Sequence, residues 1–228
     1  MAPDLWAVVP VKELERAKER LAPLLAPALR RALMLAMLED VLAALAATPP
    51  LAGIVVATVD AEAERLARRY GARLFARGAR EGHSGAVAAA ARRLQAEGRA
   101  GMLTLPGDVP LVTPAEIAAL IAAHRPAPAF TIAPSRDERG SNAVLCSPPE
   151  AVPLRFGADS FFPHLEAAAA RGIRPTVRRL PGLALDIDTP ADLAAFAALP
   201  PRGRTGALLA ENAMLWARPE ALRGDHRR

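Results

Sequence analysis

The sequence predicts one α/β domain: a mainly parallel sheet with helices on both faces. Three observations predict it. Short apolar or β-branched runs alternate with longer stretches whose apolar residues recur at helical spacing. Proline, glycine and capping residues punctuate the boundaries between them. Hydrophobic residues make up 52% of the 228 and charged ones 23%, a globular composition with enough Leu, Val and Ile for a full core.

The elements follow in order. Leu5–Val11 is a short apolar run through Pro10, consistent with a buried strand. Residues 12–26 are charged and then bounded by proline, so they read as a loop with a helical turn. Pro27–Ala47 carries helical spacing behind an N-terminal proline. Ile54–Val59 is a β-branched strand, and Asp60 is a good N-cap for a helix over Ala61–Tyr70 that Gly71 ends. Ala72–Phe75 is a short strand, Ser84–Gln95 an alanine-rich helix and Gly101–Leu105 a strand broken by Pro106-Gly107. Thr113, Pro114 and Glu116 form a capping-box opening for a helix to Ala123. Phe130–Ala133 and Ala143–Cys146 read as strands. Asp159 and Ser160 open a helix to Arg171. Pro175–Leu180 and Leu183–Ile187 are extended, and Thr189-Pro190 starts a helix to Ala198. Residues 1–199 are expected to be the α/β domain and 200–228 a basic C-terminal extension. A helix is possible there at Ala207–Trp216, with Leu208, Leu209, Met214 and Leu215 packing back on the body.

Composition excludes several classes. The longest uncharged stretch, Val41–Val59, contains Pro49-Pro50 and is a helix end, a turn and a strand, not a membrane span. No basic segment precedes the first apolar run, so no secretory signal is expected and a cytoplasmic location is. The single cysteine, Cys146, rules out an intramolecular disulfide framework. Net charge is +5, but residues 201–228 hold six arginines against Glu211, Glu220 and Asp225, so +3 of it lies there. Aromatics are 4%, too few for a base-stacking platform. His83, His124, His164 and His226 show no metal or triad spacing.

In a parallel sheet, ligands sit beyond the carboxyl ends of strands. That rule selects residues 12–20, 82–84, 107–108, 140–142, 157–160 and 186–188. Of 29 cationic residues only Lys12 and Lys18 are lysine, and both lie in the first of these segments. A lysine there supplies a compact point charge where arginine is otherwise the default; chance on a solvated turn is the plain alternative. Gly107-Asp108 places a carboxylate on a tight turn after a buried strand, suited to a hard cation or to capping the turn. Asp186 and Asp188 alternate around Ile187, so both face one side, and one of them can cap the helix after Pro190. Gly157 to Ser160 feeds a helix N-terminus, a site for phosphate or carboxylate or an ordinary cap. Ser141-Asn142 and Gly82-His83-Ser84 carry turn or cap chemistry with the same ambiguity. There is no P-loop and no dinucleotide fingerprint.

Taken together, Pro10-Val11-Lys12 with Ala17-Lys18-Glu19-Arg20-Leu21, Gly107-Asp108-Val109-Pro110, Gly140-Ser141-Asn142-Ala143, Phe156-Gly157 with Ser160-Phe161 and His164, and Asp186-Ile187-Asp188-Thr189-Pro190 resemble, over about residues 5–198, the 2-phospholactate guanylyltransferases of coenzyme F-420 biosynthesis. Bacterial relatives in that family use phosphoenolpyruvate or 3-phosphoglycerate. The resemblance implies the single-domain nucleotidyltransferase fold, of the nucleotide-diphospho-sugar transferase type. It implies transfer of GMP from GTP to the phosphate of a small phosphorylated carboxylic acid, with release of pyrophosphate.

Carried onto this chain, the resemblance implies a catalytic set of Lys12, Lys18, Arg20 and Asp108. Pro10, Val11, Lys12, Gly82, His83, Ser84 and Gly107 would contact the nucleotide. Ser141, Asn142, Gly157 and Ser160 would hold the acceptor, and Asp108, Asp186 and Asp188 a magnesium ion. Gly82-His83-Ser84 stands where the family pattern has Gly-Leu-Asn, in the loop expected near guanine or ribose. Beyond GTP and the phosphoacid, the downstream transferase of the pathway and a second copy of the chain are candidate partners; nucleic acid and membrane are not. Two other functions compete: the same fold acting on molybdopterin or a sugar phosphate, and a non-catalytic nucleotide- or nucleic-acid-binding module.

Overall fold

The computed structural model describes residues 4–157 and 159–213. Among the described residues, seven strands form one sheet: β1 (Leu5–Pro10), β2 (Leu51–Ala57), β3 (Arg73–Phe75), β4 (Gly101–Thr104), β5 (Ala129–Pro134), β6 (Ser141–Ser147) and β7 (Thr176–Val177). Their order is β3-β2-β1-β4-β6-β5-β7. The first four are mutually parallel, β6 runs antiparallel to both β4 and β5, and β7 is parallel to β5. The reversed β6 matters for the site. Its first residues lie beside the carboxyl end of β4, with Val144 opposite Thr104.

The helices are α1 (Pro27–Ala46), α2 (Ala61–Arg69), α3 (Gly82–Ala96), α4 (Pro114–Ala122), α5 (Phe161–Ala169), α6 (Pro181–Ala184), α7 (Pro190–Ala197) and α8 (Gly203–Glu211). Strand alternation sorts them onto two faces. Ala7 and Val9 of β1 join Val56, Leu103 and Leu145 in a core with Leu38 and Leu42 of α1, Leu66 of α2, Ile117 of α4 and Leu193 of α7. Val8, Val55 and Met102 turn the other way, onto Val87 and Leu94 of α3. Phe130, Ile132, Val144 and Cys146 face Phe161 and Ala168 of α5. The small alanines at 90 and 91 let α3 lie close against the sheet.

Asp60 caps α2 through the amides of Glu62 and Ala63, and Thr113 with Glu116 forms the expected capping box of α4. Several expectations need correction. Leu183–Ile187 is not extended throughout: Pro181 starts the one-turn α6 to Ala184, where Glu116 reaches across to accept the Gly182 amide at 2.6 Å, and the chain is extended again at Leu185. Extended ladder pairing in the preceding segment is confined to Thr176–Val177. The third helix begins at Gly82, whose φ of +76° lets the chain turn sharply into it. Asp188 does not cap α7; Thr189 does, in a capping box with Asp192. The helix expected at Ala207–Trp216 covers Gly203–Glu211, with its first amides, Arg204 and Thr205, donated to Asp40 of α1. Met214, Leu215, Trp216 and His226 lie outside the described residues. Among those described, no helix is long and apolar enough to cross a membrane.

Candidate active site

An open cleft of about 1240 Å³ lies at the carboxyl edge of the sheet. It gathers nearly all of the residues singled out above. Pro10, Val11, Lys12, Lys18 and Arg20 line it from the end of β1 and the segment after it. Gly82 and His83 contribute from the start of α3, and Gly107 and Asp108 from the turn after β4. Ser141, Asn142, Gly157 and Ser160 also line the cleft, as do Asp186 and Asp188. Ser84 does not line the cleft: its hydroxyl accepts the Phe156 amide at 2.8 Å and so fastens α3 to the Phe156-Gly157 loop.

The centre is an ammonium between two carboxylates. Lys18 Nζ donates to Asp108 Oδ2 at 2.5 Å and to Asp188 Oδ1 at 2.6 Å. The Lys18 side chain is 5% exposed. Burial alone disfavours its charge, but Asp108 and Asp188 outweigh that and raise its pKa above the ordinary lysine value. Lys18 sits at φ +54°, a left-handed conformation unusual for a side-chain-bearing residue, and the short 3-10 turn Glu19–Leu21 begins there. Its loop is held from both sides. Asp60 accepts the Leu14 amide, and Arg30 donates to the Ala17 carbonyl at 3.3 Å.

The carboxylates differ in environment. Burial pushes Asp186 above the ordinary carboxylate pKa; the hydrogen bond from Asn142 Nδ2 at 3.0 Å opposes this and the Asp108 charge adds to it. Burial also works on Asp188, but Lys18, with Arg20 and Lys12 further off, takes it below the ordinary value. Ile187, between them, is fully buried and its amide donates to the Asp108 carbonyl. That contact sets the two aspartates beside Asp108 without any strand ladder. The donor set suits a hard cation: three carboxylates face one cleft, and Asp108 Oδ1 is buried with no hydrogen-bond partner. As arranged here, no three His, Cys, Asp or Glu side chains among the described residues converge into a metal cluster, and the Lys18 ammonium lies where two of the carboxylates meet.

Ser141 and Ser160 are paired. The Ser141 amide donates to Ser160 Oγ at 3.1 Å, and the two hydroxyls are 3.2 Å apart. Ser160 therefore does not cap α5, contrary to the simplest reading of its position. Asn142, which also lines the cleft, donates to the Leu183 carbonyl and to Asp186. His83 is neutral, its pKa lowered to about 4 by burial, and its ring packs 4.4 Å from Phe156. Sequence reasoning missed Arg136 and Arg139, which also line the cleft, and the link from Asp60 to Leu14. Arg139 directly precedes Gly140-Ser141 and could have been found from that adjacency.

Residues 5–198 match the family described as guanylyl transferase, CofC-like. A phosphoenolpyruvate guanylyltransferase of Rubrobacter xylanophilus is 41% identical over 84% of this chain and 92% of its own length. A 3-phospho-D-glycerate guanylyltransferase of Colwellia psychrerythraea is 35% identical over 84% of this chain and 90% of its own. A crystal structure titled as a nucleotide-diphospho-sugar transferase from Desulfovibrio desulfuricans G20 superposes with a TM-score of 0.74 at 19% identity, covering 94% of this chain and 97% of that one. A 4-diphosphocytidyl-2C-methyl-D-erythritol synthase superposes at 0.61 with 14% identity, over 92% and 99%. These two share the fold. The chain belongs to the family of CofC-like guanylyl transferases: it is a guanylyltransferase on the single-domain nucleotidyltransferase fold.

Proposed function

We propose that this chain transfers GMP from GTP to the phosphate of phosphoenolpyruvate, releasing pyrophosphate, as a step of coenzyme F-420 biosynthesis. The observation that carries the reading is the presence of two chemistries in one cleft: the Lys18–Asp108–Asp188 centre and the Ser141–Ser160 pair both line it. Relatives from Rubrobacter and Conexibacter at 41% and 37% identity carry the phosphoenolpyruvate name.

An acceptor phosphate oxygen attacks the α-phosphorus of GTP, and the bond to the β-phosphate breaks. The acceptor is already anionic at neutral pH, so no general base is required. The difficulty is repulsion between two anions, and catalysis lies in neutralising it. Lys12, exposed on the cleft wall, meets the triphosphate, with Arg20 beside it. Lys18 holds Asp108 and Asp188 in register. Pro10, Val11, Gly82, His83 and Gly107 shape the nucleotide's place, and Ser141, Asn142, Gly157 and Ser160 the acceptor's. Asp108, with Asp186 and Asp188, would hold magnesium, which when bound adds a positive charge against the phosphates. We assign the transferase to residues 1–199 and treat residues 200–228 as an appendage, and we take the enzyme to act in the cytoplasm.

The test is pyrophosphate release from GTP and magnesium with phosphoenolpyruvate, 2-phospholactate or 3-phosphoglycerate, with ATP as nucleotide control. Release with GTP and phosphoenolpyruvate is expected. Release only with 3-phosphoglycerate would move the acceptor to that of the Colwellia relative. Silence with all three, in folded protein that binds GTP, would reject the phosphoacid reading.

A further inference from the structure

His164 is 2% exposed and touches the acceptor wall from behind. Its Nε2 lies 3.0 Å from the Arg155 backbone nitrogen, an obligatory donor, so Nε2 must be the bare, accepting nitrogen. The proton of the neutral ring is then on Nδ1, which lies 2.9 Å from Ser141 Oγ. The hydrogen of His164 is donated to Ser141. The Ser141 and Ser160 hydroxyls are 3.2 Å apart and share one hydrogen bond between them.

His164 brings one hydrogen to the group and each serine one, making three. The bond from His164 to Ser141 uses the first, and the serine–serine bond uses one of the other two. One hydroxyl hydrogen is left over, and it has no acceptor inside the group. Both serines line the cleft, so that hydrogen is available there. With the opposite tautomer, Ser141 would donate to Nδ1 and Ser160 to Ser141. The pair would then offer the cleft only lone pairs, which repel an anion.

We propose that His164 is a positioning residue: its fixed tautomer sets the hydrogen-bond direction of the Ser141–Ser160 pair, so that the pair presents a hydroxyl donor to an anionic oxygen of the acceptor. The proposal rests on the reading that the phosphoacid binds at this wall. The imidazole stays neutral at working pH, since burial lowers its pKa to about 4. Phe156 packs edge-on against the ring with centroids 5.0 Å apart, which helps fix its plane.

The tautomer is read directly by nitrogen-15 NMR of labelled, substrate-free protein at pH 7. Protonated Nδ1 and bare Nε2 on His164 are expected; protonated Nε2 would overturn the proposal whatever the substrate proves to be. In steady-state assays, His164→Leu leaves the serine pair a spare hydroxyl hydrogen but removes what fixes its direction, so the KM for phosphoenolpyruvate should rise severalfold, with the KM for GTP little changed. His164→Asn, whose amide nitrogen can stand where Nδ1 stands, should recover most of that loss. In a Ser141→Ala background the His164→Leu penalty should largely vanish. Ethyl phosphate as acceptor separates the two anionic groups: a penalty that persists assigns the donor to the phosphate, and one that disappears assigns it to the carboxylate. An unchanged acceptor KM in folded His164→Leu, or a full penalty in the Ser141→Ala background, would overturn the proposal. Wild-type protein that turns over no phosphoacid while showing the expected tautomer would instead reject the acceptor reading beneath it.

Discussion

The carboxylate of Asp60 accepts the backbone amide of Leu14 at 3.0 Å, across 46 residues of sequence. Its other oxygen caps α2 through Glu62 and Ala63. Burial works against this charge, but the three amides outweigh it and hold its pKa below the ordinary value. One side chain thus starts a helix and pins the loop that carries both lysines. Asp60→Ala should cost about 1–2 kcal/mol, the scale of a lost N-cap, and should raise the KM for GTP more than that for the acid. Asp60→Asn keeps one accepting oxygen, so it should retain the cap and most of the stability but lose the Leu14 tie and share the rise in the GTP KM. Urea melts and substrate titrations of the two variants test this; an unchanged GTP KM in Asp60→Ala would remove its role in the loop.

Lys12→Ala and Asp108→Asn should each lower turnover by more than about a hundredfold, the scale of losing one preorganised electrostatic group. Neither should unfold the protein, since Lys12 is exposed and the Asp108 side chain is 20% exposed. The check is kcat alongside far-ultraviolet circular dichroism. A near-normal rate in either would sink its assigned role.

Lys18→Met leaves Asp108 and Asp188 facing each other without the ammonium. Removing one partner of a fully buried pair costs roughly 3–5 kcal/mol. Here Asp188 is 45% exposed, so a loss on the order of 2 kcal/mol is expected. Adding Asp188→Asn should return part of it, and a double-mutant cycle of urea melts reads the coupling. Additive losses would mean that the ammonium does not hold the two carboxylates together.

His124 and His164 both have pKa values lowered by burial to about 4, against an ordinary 6.5. Folded protein therefore keeps them neutral where unfolded chains bind protons. Stability should be full above about pH 6.5 and fall as pH drops from there toward 4. The urea midpoint at pH 5.5 should lie below that at pH 7.5, and His124→Gln should flatten the slope. A midpoint independent of pH over this range would contradict the buried neutral state.

Much of the fold was readable because each element carries its own local reasons. The β-branched run at Ile54–Val56, the Asp60 cap and the Thr113–Glu116 box depend on residues within a few positions of each other. The misread segments depend on distant partners. The α6 turn exists where Glu116 accepts the Gly182 amide, 66 residues away. Ser160 looks like a helix cap, yet its hydroxyl is engaged by Ser141 on a strand. Ser84 looks like a nucleotide contact, yet it binds the Phe156 backbone.

The α/β class, the order of the motifs and the segments that end at the carboxyl edge of the sheet are all readable from the order of residues. Those follow from periodicity, capping chemistry and the geometry of parallel strands, all local or general rules. Only the tertiary structure decided that Lys18 sits between Asp108 and Asp188, 90 and 170 residues away, and that His164 donates its hydrogen to Ser141. A hydrogen bond's direction and a buried ion pair depend on distances of a few ångströms between elements. Those distances are set by how the sheet and its helices pack, which no local pattern encodes.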